Sequence, residues 1–218
     1  RMKSRFATGA FALALASTLV AGLAVAQAPQ PGPQAAAAEP AQVSIPAAPV
    51  PAKSSAWLVM DHATGQVLAG ENIDARVEPA SITKVMTAYV VAAEQAAGRV
   101  KADDQVLMSE RAWREGGART DGSFSGFPVN QTAPLRDMEK GMAVQSGNDA
   151  AIALAEHVAG SQEAFAELMN NYAAKIGMKN SHFVNAHGLS APEHYSTAHD
   201  LALLGSAFIR DFPEAYAS

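Results

Sequence analysis

The first 53 of the 218 residues cannot build a hydrophobic core, which confines folding to the remainder. Arg1, Lys3 and Arg5 form a short positive region, and Ala7 to Ala26 carries no charge. Two small-x-small sites follow, Ala24-Val25-Ala26 and Ala26-Gln27-Ala28. A positive start, an apolar middle and an A-x-A end predict a secretory signal peptide over residues 1–26. The run is nearly long enough for a membrane anchor, but its richness in Ala, Gly, Ser and Thr favours cleavage. Residues 27–52 hold seven Pro, nine Ala and one charge, Glu39. With Lys53 they read as a disordered or extended linker over residues 27–53. The folded domain is expected over residues 54–218, enough chain for one core.

That core must hold without covalent help. An exported chain meets an oxidising compartment, yet the sequence contains no Cys. Disulfide scaffolds, zinc fingers, Fe–S clusters and thiol nucleophiles are all excluded at once. The formal charge is −5, and removing the three basic residues of the signal peptide makes it −8. No basic face is available, so no nucleic-acid partner is expected.

Ala56 to Asp61, a turn at His62-Ala63-Thr64-Gly65, and Gln66 to Gly70 read as a β-hairpin. Ser81 to Ala97 places Ile82, Val85, Met86, Tyr89, Val90 and Ala93 at helical spacing and stops at Gly98. A short strand is predicted at Gln105 to Met108 and a Gly-, Ser-, Thr- and Pro-rich loop over 115–134. Helices are predicted at Leu135–Val144, Asp149–Val158, Gln162–Ile176 and Thr197–Ile209, with Ser161 as a cap and Gly160 and Gly177 as stops. Strands followed by helices give an α/β (α+β) class. Two strands do not make a stable sheet alone. Either the helices cover a very small sheet, or further strands lie beyond Ser218.

Ser81-Ile82-Thr83-Lys84 opens the long helix and puts Ser81 and Lys84 on one face. A serine hydroxyl needs an adjacent base to attack a carbonyl. Lysine serves only when neutral, which requires lowering its pKa by about three units through burial or nearby cations. Taken alone, S-x-x-K is a common helix start with a surface lysine. Ser146-Gly147-Asn148-Asp149 follows 65 residues later between two helices. Alone it is an ordinary helix–helix turn, but paired with S-x-x-K it is far more specific. In that pairing Ser146 passes protons and Asn148 holds a peptide amide.

These stretches, with Asn185-Ala186-His187-Gly188-Leu189, Tyr195-Ser196-Thr197-Ala198 and the turn 61–65, resemble the D-alanyl-D-alanine carboxypeptidases, the low-molecular-weight penicillin-binding proteins. The resemblance covers the chain from about Ala56 to Ser218. It implies a penicillin-binding-protein/serine-β-lactamase-like fold, a helical region packed on an antiparallel sheet that is incomplete in this chain. It implies catalytic Ser81, Lys84 and Ser146, and substrate contacts at Asn148 and His187. It further implies a periplasmic enzyme with no cofactor, acting on peptidoglycan peptides that end in D-Ala-D-Ala and acylated by β-lactams. A second domain and a C-terminal membrane anchor are implied outside these 218 residues.

Three departures are visible. The third motif, K-T-G or K-S-G, does not occur after Asn148, so the chain reads as an N-terminal part that is poorly stable and inactive by itself. His199 stands where relatives usually carry Arg. Ser123 to Arg136 matches only loosely. A β-lactamase of the same superfamily and a non-catalytic wall-binding fragment are the alternatives. The first is disfavoured because S-G-N replaces S-D-N and no deacylating Glu follows the second motif. His182, His187, His194 and His199 include two H-x₄-H pairs within the zinc spacing range. Without H-E-x-x-H, and with a five-residue step that turns a helical side chain to another face, no metal is expected. Gly122 to Gly126 is no nucleophile elbow, because its centre is Phe124. Trp57 and Trp113 are expected in the core, and Asp103-Asp104 in a solvated turn.

Overall fold

The computed structural model describes residues 53–118 and 120–217. The segments expected to be a signal peptide (1–26) and a linker (27–53) lie, but for Lys53, outside the described residues. The chain begins with strands β1 (Trp57–Met60) and β2 (Val67–Glu71), paired antiparallel with Trp57 opposite Glu71 and an irregularity between Val59 and Met60. The turn closes for a local reason. Asp61 Oδ1 accepts from the Thr64 N–H at 2.8 Å and from Thr64 Oγ1 at 2.6 Å, and Gly65 takes a positive φ of 71°.

Ala80–Ile82 forms one 3-10 turn and leads into helix α1 (Thr83–Ala96). The predicted helix start therefore splits: Ser81 sits on the tighter turn and Lys84 on the α-helix. Strand β3 (Gln105–Leu107) precedes a short helix α2 (Glu110–Trp113), capped by Ser109 Oγ, which accepts from the Ala112 N–H. A wide π-type turn, Arg114–Ala118, continues it. Strand β4 (Thr132–Pro134) pairs antiparallel with β3. The expectation of a continuous loop over 115–134 is thus corrected at both ends. Tertiary pairing to β3, rather than intrinsic propensity, makes β4 a strand.

The remaining elements are helical: α3 (Leu135–Val144), α4 (Asn148–Ala159), α5 (Gln162–Ile176), α6 (Ala198–Asp211) and α7 (Pro213–Ala217). Ser161, Gly160 and Gly177 end their helices as predicted, whereas Thr197, expected as the first helical residue, is the cap of α6. Ser161 Oγ accepts from the Ala164 N–H, Thr197 accepts from the Asp200 N–H, and Gly160 and Gly177 adopt left-handed conformations after α4 and α5. The sheets are two separate antiparallel pairs, so helices dominate the described architecture.

α4 is the central post. Its segment Ala150–Ala155 is wholly buried and packs against α1, α2, α3 and α5. The alanines let neighbouring helices approach, and Ile152, Leu154, Phe165, Phe183 and Leu204 fill the space between. Six methionines, Met86, Met108, Met138, Met142, Met169 and Met178, are at most 3% exposed within this core. Unbranched thioethers suit the irregular gaps between helices that cross at different angles. Tyr89 ties α1 to the end of α6. Its hydroxyl donates to Asp211 Oδ2 at 2.9 Å, and its ring meets Phe212 edge-on. Trp113 packs half-buried against the core, as expected, whereas Trp57 is half-buried on the hairpin. Asp103 pairs with Arg136 at the surface.

Candidate active site

Backbone geometry places the two serines. Ala80, immediately before Ser81, has φ 45°, and Ser146 itself has φ 53°. Left-handed conformations at non-glycine residues cost about 1–2 kcal/mol each, so surrounding contacts must enforce them. At Ala80 the enforcement comes from Gly188. Its α-carbon lies against the Ala80 carbonyl so closely that an added β-carbon would overlap it. At Ser146 the chain is held from both sides. The Gly147 N–H donates to Gly141 O at 3.2 Å, and the Asn148 N–H donates to Ser123 O at 2.9 Å.

Lys84 is 6% exposed and rises from the first turn of α1 between two oxygens. Its Nζ donates to Ser81 Oγ at 3.2 Å and to the His187 carbonyl at 2.8 Å. Among the described residues it forms no ion pair. Burial without a counter-charge disfavours the ammonium, and the Lys84 pKa is drawn down to about 8. About one Lys84 in ten is then neutral at pH 7. Ser81 is exposed. The pair therefore joins an accessible hydroxyl to a buried amine that can accept its proton.

Ser81, Lys84 and Ser146 line one cavity of about 860 Å³, together with Val85, Arg136 and Glu139. The structure thus brings together residues 65 positions apart. Glu139 is a cavity residue that the sequence did not disclose. Burial pushes its carboxyl up, partly offset by Gln95 Nε2, which donates to it at 3.1 Å.

Asn148 and His187 are placed differently. Asn148 is 3% exposed, begins α4, and rests its side-chain amide against Gly122, off the lining of that cavity. The His187 ring is buried behind Lys84. Its Nδ1 accepts from the Leu189 N–H at 3.1 Å. Burial first, then the charges of Lys84 and His194, hold its pKa down to about 4.

The loosely matching segment is anchored to the second motif by the last residue of the 146–149 turn. Asp149 is fully buried and accepts from the Ser125 N–H at 2.8 Å and from Ser125 Oγ at 2.5 Å. No pattern in the sequence marked Ser125 as its partner. The turn at Arg114–Ala118 presses on the same place, since Gly116 abuts the backbone of Asp149. The remaining histidines disperse. His182 Nδ1 contacts Glu193 O, and His199 Nδ1 lies 3.3 Å from Asp74 Oδ1. Among the described residues, no three His, Asp or Glu side chains converge on a point that could hold a metal ion.

The signature of the D-alanyl-D-alanine carboxypeptidase family matches residues 42–218. The chain is 50% identical over 164 residues to D-alanyl-D-alanine carboxypeptidase DacC of Escherichia coli, covering 74% of this chain and 41% of that protein. Among solved structures, D-alanyl-D-alanine carboxypeptidase DacD from Francisella tularensis superposes with a TM-score of 0.72 at 45% identity, over 79% of this chain and 40% of that one. Penicillin binding protein 5 from Haemophilus influenzae superposes with a TM-score of 0.71 at 40% identity, over 74% of this chain and 46% of that one. The chain spans about two-fifths of the length of the curated relatives it matches.

Proposed function

Because the chain belongs to the D-alanyl-D-alanine carboxypeptidase family, we infer that it carries the nucleophile and base of a serine carboxypeptidase. The substrate is a peptidoglycan peptide ending in D-Ala-D-Ala. The observation that carries this reading is the buried Lys84 amine, without an ion pair among the described residues, in hydrogen-bond reach of the exposed Ser81 hydroxyl.

In this reading Ser81 Oγ attacks the penultimate D-Ala carbonyl while its proton passes to neutral Lys84. The C–N bond to the terminal D-Ala breaks, and the leaving nitrogen takes that proton through Ser146. Water then attacks the ester, Lys84 takes a proton from it, and the shortened peptide leaves as a carboxylate as Ser81 regains its hydrogen. The substrate contact expected at Asn148 is not kept in this reading, because its amide is buried against Gly122 and off the cavity lining. His187 serves through its carbonyl, which fixes the Lys84 amine, rather than through a ring that faces substrate. β-Lactams acylate the same serine. Residues 1–26 export the chain to the periplasm, and 27–53 tether the domain. Among the described residues, no helix is long and apolar enough to cross a membrane.

Mass spectrometry after incubation of the full-length protein with penicillin tests the proposal. The expected result is one adduct on the tryptic peptide containing Ser81, absent from S81A. A folded protein that acquires no adduct overturns it and leaves a non-catalytic wall-binding role.

A further inference from the structure

Two segments meet behind the Ser81–Lys84 pair: residues 80–87, and a strap over residues 183–189. Lys84 Nζ donates to His187 O, and Thr87 Oγ1 donates to Ala186 O at 2.7 Å. A third residue, from outside both segments, bridges them. His194 is 4% exposed. Its Nδ1 is 3.2 Å from the Val184 amide nitrogen, and its Nε2 is 2.9 Å from Thr83 Oγ1.

The bridge fixes the state of the ring. A backbone N–H only donates, so Nδ1 must accept and carries no proton. The single ring proton then sits on Nε2 and is given to Thr83, the residue between the nucleophilic turn and Lys84. A second proton on Nδ1 would face the Val184 N–H donor to donor, and the bridge would have to open. We propose that His194 is a positioning residue for the Ser81–Lys84 pair and an acid-sensitive one, its neutral ring holding the strap that supplies the Lys84 acceptor. The role rests on the carboxypeptidase reading given above.

The charged surroundings support a neutral ring. Burial acts first, and the His182 charge acts with it. Glu78 opposes them, and the pKa is lowered below the ordinary imidazole value. The Phe183 ring meets His194 edge-on, with centroids 5.9 Å apart. His187, on the strap, is the other titratable neighbour, and the charges of the two rings oppose one another. Above its lowered pKa the bridge is intact. Acidification through that pKa opens it, in addition to charging Lys84.

The decisive variant is H194Q. A glutamine offers one acceptor to Val184 and one donor to Thr83, and it does not titrate. In the intact protein, acylation of Ser81 by a fluorescent penicillin is followed from pH 4.5 to 9. The wild-type rate should fall about tenfold per pH unit below the Lys84 pKa and more steeply below that of His194. H194Q should keep the high-pH rate within about twofold and lose the steeper limb, whereas H194A should lose rate at every pH. Histidine-labelled NMR of the same protein should show His194 as the Nε2–H tautomer at neutral pH. A His194 protonated on Nδ1 at pH 7, or identical pH profiles for wild type and H194Q, overturns the proposal. Should no variant be acylated at any pH, the carboxypeptidase reading fails, and the tautomer alone then decides the bridge.

Discussion

Gly188 touches the carbonyl oxygen of Ala80, and through that contact the strap sets the backbone that presents Ser81. Gly188 also has φ 94°, a region that side chains resist. G188A should therefore fail twice, by clash and by strain. A loss of about 2–4 kcal/mol in stability is expected, with at least a tenfold drop in penicillin acylation. Denaturant melts and adduct kinetics check both. A variant with unchanged kinetics would mean that Ala80 is placed by something else.

With Lys84 as the proposed base, stability and catalysis should pull in opposite directions. Its folded pKa is about 8, below the ordinary lysine value. Between those values the unfolded chain binds more protons than the folded one, so stability should rise with pH through that window. At neutral pH the buried charge costs about 3 kcal/mol, which is not exceeded by the roughly 1.5–3 kcal/mol that its charged hydrogen bond to the His187 carbonyl contributes. K84M should consequently melt no lower than wild type at pH 7 while acquiring no penicillin adduct. A marked fall in Tm would show that the two oxygen contacts outweigh the burial.

In the proposed mechanism the same amine sets the pH dependence of acylation. Only its neutral form accepts the Ser81 proton. The rate should climb with pH and level off above about 8. K84R, whose guanidinium stays charged, should be inert across the range. Stopped-flow acylation against pH reads the midpoint.

Asp149 should prove to be a hinge pin for the 122–127 segment. D149A leaves the Ser125 amide and hydroxyl without their acceptor and empties a fully buried site. About 2–4 kcal/mol of stability should be lost. Hydrogen exchange should accelerate first at Ser123 and Ser125. Uniform acceleration over the whole domain would argue against a local role.

The sequence disclosed elements whose signals are local. Helices α3 to α6 were legible because apolar spacing agrees with the cap Ser161 and the stops Gly160 and Gly177. The pairing of Ser81 with Lys84 was legible because three helical positions bring them together. What stayed hidden depends on distant partners. β4 exists because β3 lies beside it, and Asp149 acts on a serine 24 residues earlier. His194 looked like one of four scattered histidines. Only its burial between Val184 and Thr83 separates it from His199, which sits at the surface against Asp74.

The six buried methionines amount to a set of chemical clocks distributed through the domain. A thioether at most 3% exposed meets peroxide only when its surroundings open. Oxidation to the sulfoxide adds one oxygen and can be counted by peptide mass. Met86 on α1, Met138 and Met142 on α3, and Met169 on α5 would each time the breathing of its own helix. Because the chain has no cysteine to compete for oxidant, the order in which they are modified traces the order in which the core comes apart.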